Sequence, residues 1–199
     1  MSSDTERDEL AAAAARLVVE EGLEYGPAKK RAARDLGLNG RRAALPDNEA
    51  VEAAVREHLE LFHADSQPAE LAELRRIALR WMERLAEFRP HLSGAVWRGT
   101  ATRLSAIHLD LYCDDPKSAE LALLNLGVDY EVGSAPGPRG REVDVLSIAE
   151  RSQALGDWVT LHLSVLDHDD LRGALRADAQ GQTWRGGLDA LRRRLETTA

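Results

Sequence analysis

Cysteine is almost missing from this chain: Cys113 is the single thiol in 199 residues. That excludes an internal disulfide framework and a cysteine-rich zinc module, and it points to a reducing, cytoplasmic setting. Aromatic residues are scarce at 5%, and Trp81, Trp97, Trp158 and Trp184 are too scattered to form a stacking ladder. Long apolar runs are missing as well. Leu10 to Val19 comes nearest, but Arg16 interrupts it and Asp8, Glu9, Glu20 and Glu21 flank it, so it suits neither a membrane span nor a signal peptide. No membrane partner is expected.

Charge is plentiful and acidic. With 34 Asp+Glu against 26 Lys+Arg, the net charge of −8 disfavours a protein that coats nucleic acid, although a local basic patch can still grip it. The length suits one ordinary domain, or one domain with a helical annex. Two periodicities divide it. From Asp8 to about Phe88 the apolar spacing is helical, and four helices are expected: about Glu6 to Glu21, stopping at Gly22; from Pro27 to Gly37; from Asp47 as N-cap through Phe62; and from Ser66 to before Pro90.

Beyond Pro90 the pattern is that of short strands. Ala95 to Arg98 is weakly strand-like. Ile107, Leu109, Leu111 and Cys113 alternate with His108, Asp110 and Tyr112, as a half-buried strand does. Asp115 and Pro116 open a short helix that ends before Gly127. Strands are expected at Asp129 to Val132 and Val143 to Ile148, around the Gly- and Pro-rich loop Gly133 to Arg141. The clearest strand carries Val159, Leu161, Leu163 and Val165, and helices over Asp169 to Arg176 and Gly187 to Leu195 close the chain.

The most informative segment runs from Gly94 to Tyr112, GAVWRGTATRLSAIHLDLY. A strand, a Gly-Thr turn, a polar loop and an alternating strand carrying acid resemble the core of the polymerase-β-type nucleotidyltransferases. Its minimal and abortive-infection-toxin branches are nearest in character. The resemblance implies that Gly99 and Thr100 form the turn that approaches the triphosphate, with Arg103 and Ser105 beside it, and that Arg139 and Arg141 meet phosphates. It also implies a pair of strand carboxylates that hold Mg2+ and activate a hydroxyl for in-line attack.

That pair is damaged here. Anchored on Ser105, the two acids fall on Ala106 and His108; anchored on strand phase, on His108 and Asp110; a third registration gives Asp110 and Tyr112. None keeps both acids. Asp144, between Val143 and Val145, matches the family's further acid, so the candidate catalytic set is His108, Asp110 and Asp144, with Asp110 and Asp144 as metal ligands. With one carboxylate on the strand, metal affinity and transition-state neutralisation both fall. The implied protein is a nucleoside triphosphate binder that is inactive or weakly active, a pseudoenzyme.

Other constellations carry less. His162 with Asp167, His168, Asp169 and Asp170 has metal-ligand chemistry but poor spacing, and helix capping explains the acids. His91 is placed in a turn without partners. Lys29, Lys30, Arg31, Arg34, Arg41 and Arg42 stand against Asp35 alone, a net +5 that leaves −13 on the rest of the chain. This segment is the alternative site, for RNA, DNA or a protein partner in a regulatory role, with a solvated face paired to Glu20, Glu21 and Glu24 as its ordinary explanation. A Gly-x-Ser-x-Gly elbow, a P-loop and a dinucleotide fingerprint do not occur, so ATP-dependent ligation of the Mur type has no motif to support it. The expected architecture is α+β: a helical region over residues 1–92 packed on a small mixed sheet with flanking helices, nucleotidyltransferase-like, over residues 93–199.

Overall fold

The computed structural model describes residues 3–38, 45–172, 174–177, 181 and 183–198. The fold is α+β, with seven α-helices and one six-stranded mixed sheet among those residues. Two compact units divide it, residues 1–69 with 100–105, and residues 70–99 with 106–199.

The first unit is helical. Helices α1 (Ser3–Glu21), α2 (Tyr25–Asp35) and α3 (Asn48–Phe62) arise where Ala, Leu, Glu and Arg recur at helical spacing. They bury Leu10, Ala14, Val18, Ala28, Ala32, Val51 and Val55 in one apolar cluster. Asp47 caps α3, its carboxylate accepting from Ala50 N at 2.8 Å. That backbone hydrogen bond, helped by Arg7, holds the Asp47 carboxyl below its ordinary value. The group therefore contributes stability above the ordinary carboxylate range and loses it as pH falls through the lowered value. Asp47→Ala is expected to lower the thermal midpoint near neutral pH and to have much less effect at about pH 3, which melts at the two pH values would check.

The second unit holds the sheet. Its strands are β1 (His91–Ser93), β2 (Ile107–Tyr112), β3 (Glu131–Pro136), β4 (Glu142–Ser152), β5 (Asp157–Leu166) and β6 (Arg185–Gly187). They lie in the order β3-β4-β5-β2-β1-β6, with β2 and β5 parallel and every other pair antiparallel. Register makes one face apolar: Leu146, Leu163, Leu109 and Leu92 follow one another across β4, β5, β2 and β1, and all four are fully buried. Helix α4 (Gln67–Arg84) belongs to this unit from Glu70 onward and is tied to β4 through Arg80 and Trp81, which both donate to the Glu150 carboxylate. Helices α5 (Gly94–Arg98), α6 (Lys117–Asn125) and α7 (Leu188–Thr198) complete it.

Three expectations need correction. Ala95 to Arg98 is not a strand but most of α5, which positive-φ glycines bound at both ends, Gly94 (φ 68°) and Gly99 (φ 88°). The helix expected over Asp169 to Arg176 is a single 3₁₀ turn, His168–Leu171, capped by Asp167, whose carboxylate accepts from Asp169 N at 2.8 Å. His91 is not in a turn without partners: it is buried on β1, opposite Asp110.

Candidate functional site: the polar face of the sheet

Side chains two apart on a strand share a face, and so do residues paired across strands. The face opposite the leucine row is consequently fixed by register. Ser147, His162, His108, Ser93 and Arg185 form one row across β4, β5, β2, β1 and β6. Ser164, Asp110 and His91 form the row beside it. An imidazole pair sits at the centre: the His108 and His162 rings lie 5.2 Å apart at 35°. Ser147 Oγ and His162 Nδ1 share a hydrogen bond of 2.9 Å.

Backbone geometry makes room for His108. Gly94 leaves β1 with φ 68°, and a Cβ on it would lie 3.2 Å from His108 Cδ2. A side chain there would combine left-handed strain with contact on the ring.

Asp110 is the buried acid of this face. Arg185 Nη1 donates to its Oδ2 at 2.6 Å and to Tyr112 Oη at 3.2 Å. The His91 ring meets the Tyr112 ring edge-on at 5.4 Å, while His91 Nδ1 donates to Arg89 O at 2.8 Å. Burial pushes the Asp110 carboxyl above its ordinary value, with Arg185, His91 and His108 pulling against it. Burial also lowers the His91 imidazole. A buried ion pair of this kind loses solvation that its Coulomb attraction repays only in part.

Asp144 pairs with Ser134 on β3, while its neighbour Val145 pairs with Ser164, which in turn pairs with Asp110. Asp144 therefore faces away from Asp110, through the sheet, and the two do not form a magnesium site. The described residues contain no group of three or more His, Cys, Asp or Glu that could hold a metal ion. Mg2+ does not fit Asp110 either, since its carboxylate already receives the guanidinium of Arg185.

Asp144 lines a cavity of about 190 Å3 with Cys113, Arg141, Asp167 and Asp170. There Arg141 pairs with Asp170 at 3.1 Å. Burial, then Asp115, Asp114 and Asp167, push the Cys113 thiol up. Of Arg139 only the backbone is described, within the 3₁₀ turn Pro138–Gly140.

Gly99 ends α5, with Arg75 Nη2 3.5 Å from where its Cβ would be. Thr100, Arg103 and Ser105 belong to the first unit. Thr100 is buried, Arg103 is exposed, and Ser105 closes a turn by accepting from Thr102 N at 3.1 Å.

In the basic segment, Lys29 donates to Pro46 O at 3.1 Å and to Asn48 Oδ1 at 2.8 Å, and Arg31 pairs with Glu21 at 2.5 Å and with Asp35 at 3.7 Å. Lys30 and Arg34 are exposed on α2, and Arg41 and Arg42 lie outside the described residues. Among the described residues of the patch, Arg31 is the one paired with carboxylates, while the partners of Lys29 are neutral.

The site is an imidazole-rich sheet face with one carboxylate, bridged by an arginine from the edge strand. No family model matches the sequence, and no curated protein matches it either. Among solved structures the chain is similar to those of Cid1. With the complex of Cid1 with its short product ApU, identity is 14% over 59% of this chain and 37% of that one, at a TM-score of 0.37. With the MgGTP-bound Cid1 poly(U) polymerase, identity is 12% over 57% of this chain and 38% of that one, also at 0.37. The chain spans well under half the length of these structures. Among the described residues, no helix is long and apolar enough to cross a membrane.

Proposed function

We propose that residues 93–199 form a nucleotide-binding unit of nucleotidyltransferase-like ancestry whose polar sheet face receives the nucleotide but does not carry out two-metal transfer. The observation that supports this reading is the row His162, His108, Ser93 and Arg185 running beside Asp110. Imidazole and guanidinium offer donors to phosphate oxygens, and the paired rings offer a surface on which a base can stack. The two-metal reaction needs two carboxylates aimed at one point. Here Asp110 is held by Arg185, His108 stands two residues before it, and Asp144 is on the other face.

The test is thermal shift with each nucleoside triphosphate, with and without magnesium. Binding at 100-fold saturation is expected to stabilise the chain by about 2.7 kcal/mol, with His108→Ala removing most of the shift. No shift with any nucleotide at millimolar concentration would reject the proposal. The regulatory alternative, in which α2 holds RNA or DNA, is the less favoured reading because Arg31 is paired with two carboxylates and the net charge of −8 opposes nucleic acid.

A further inference from the structure

Beyond the polar face, a second cationic feature is built between α4, α5 and α7. Arg75 on α4 is buried, at 7% exposure. Its guanidinium donates to two peptide carbonyls of α5, Val96 O from Nε at 3.1 Å and Trp97 O from Nη2 at 3.3 Å. Arg194 on α7 donates to the same Trp97 O from Nη1 at 2.6 Å and lies 3.7 Å over the Trp97 ring. Two guanidinium groups therefore converge on one neutral carbonyl.

A cavity of about 460 Å3 opens at this point, lined by Arg75, Trp97, Ala190, Arg193, Arg194 and Thr197. Three arginines line it and no acid does, in a chain whose net charge is −8. The α7 residues occupy positions i, i+3, i+4 and i+7, a single helix face. The neighbouring Arg192 shows the contrast: it is turned to Glu83 at 2.8 Å and to Asp189 at 3.2 Å. Burial, and then the like charge of Arg194, push Arg75 down to about 10, so it stays cationic at neutral pH. An anion attracts a guanidinium more strongly than a carbonyl dipole does.

We propose that this cavity is a phosphate-binding site for a small molecule carrying a di- or triphosphate group. The carbonyls and the indole hold the Arg75 and Arg194 planes in fixed orientations, so little side-chain entropy is lost when an oxyanion is bound. Arg193, exposed at the rim, supplies a further fork. The inference is independent of the polar-face reading, since none of these residues lies in its two rows.

Calorimetric titration of the full chain with inorganic pyrophosphate and with tripolyphosphate, at low salt and with EDTA present, tests it. Saturable binding is expected, and it should survive His108→Ala, which removes only what the polar face contributes. Arg193→Gln should weaken binding about threefold to tenfold, and Arg193→Gln with Arg194→Gln by at least about tenfold, as loss of charge-assisted hydrogen bonds does. Because Arg193 is exposed, the single variant keeps the test valid even if the double variant unfolds. Arg16→Gln on α1 should leave binding unchanged. The proposal is overturned by any of three results: no saturable heat at millimolar pyrophosphate, equal weakening by Arg16→Gln, or binding of a short single-stranded oligonucleotide where both polyphosphates fail.

Discussion

Asp110→Ala is expected to destabilise the chain by about 2–4 kcal/mol, somewhat less than the loss from breaking a fully buried pair. Its side chain is 12% exposed and that of Arg185 28%, so the guanidinium left behind recovers part of its hydration. The same deletion leaves Tyr112 Oη as the remaining acceptor for Arg185 Nη1 at 3.2 Å. Removing both charges should cost less than removing one: Asp110→Leu with Arg185→Met is expected to recover a large part of the loss, because no uncompensated charge remains. Denaturant unfolding of the two single variants and the double variant gives the coupling directly.

The pH dependence of this pair has a definite sign. With the Asp110 carboxyl raised by burial, the folded chain binds its proton more readily than the unfolded chain does. Between the ordinary value of 3.8 and the raised one, this group's contribution to stability falls as pH rises. Asp110→Asn removes that slope. Unfolding free energies collected through the mildly acidic range would show it as a flatter profile, and an unchanged profile would mean that Asp110 is not desolvated.

The second large effect is steric. Gly186 sits on β6 against the Trp97 ring, and a Cβ there would lie 2.0 Å from Cη2, 2.4 Å from Cζ3 and 2.5 Å from Cζ2. The ring is held in place by its neighbours. Trp97 is 3% exposed, its Nε1 donates to Thr183 O at 2.8 Å, and Arg194 covers its face. Gly186→Ala is therefore expected to cost about 3 kcal/mol, the upper end for overpacking, and to lower the thermal midpoint by about 6–12 °C for a chain of this length. A fall within about 1 °C would mean that the ring moves aside freely.

These contacts mark where reasoning from the sequence succeeds and where it stops. The alternation in β2 and β5 is a local property with period two, so Leu109 and Leu163 on the core face, and His108, Asp110 and His162 on the other, were legible before any coordinates. Strand register is not local. Whether Asp144 joins Asp110 depends on Val145, rather than Asp144, pairing with Ser164, and an offset of one residue reverses the face. Arg185 was equally hidden: it lies in a three-residue strand 75 positions from its partner. Val96 and Trp97 have strand-like side chains, yet flanking glycines with positive φ turn the segment into α5. Strand β3 runs through Gly133 to Pro136, residues read as loop, because an edge strand tolerates them.

The central claim is that the polar face binds a nucleotide through His108, His162 and Arg185 without a metal pair. Calorimetric titration of the intact chain with a nucleoside triphosphate, run once with magnesium and once with EDTA, tests it most directly. The account predicts saturable binding that persists in EDTA, no release of pyrophosphate in either case, and affinity at least about tenfold weaker in Arg185→Gln. Binding that vanishes in EDTA, accompanied by magnesium-dependent pyrophosphate release that Asp110→Asn abolishes, would contradict it.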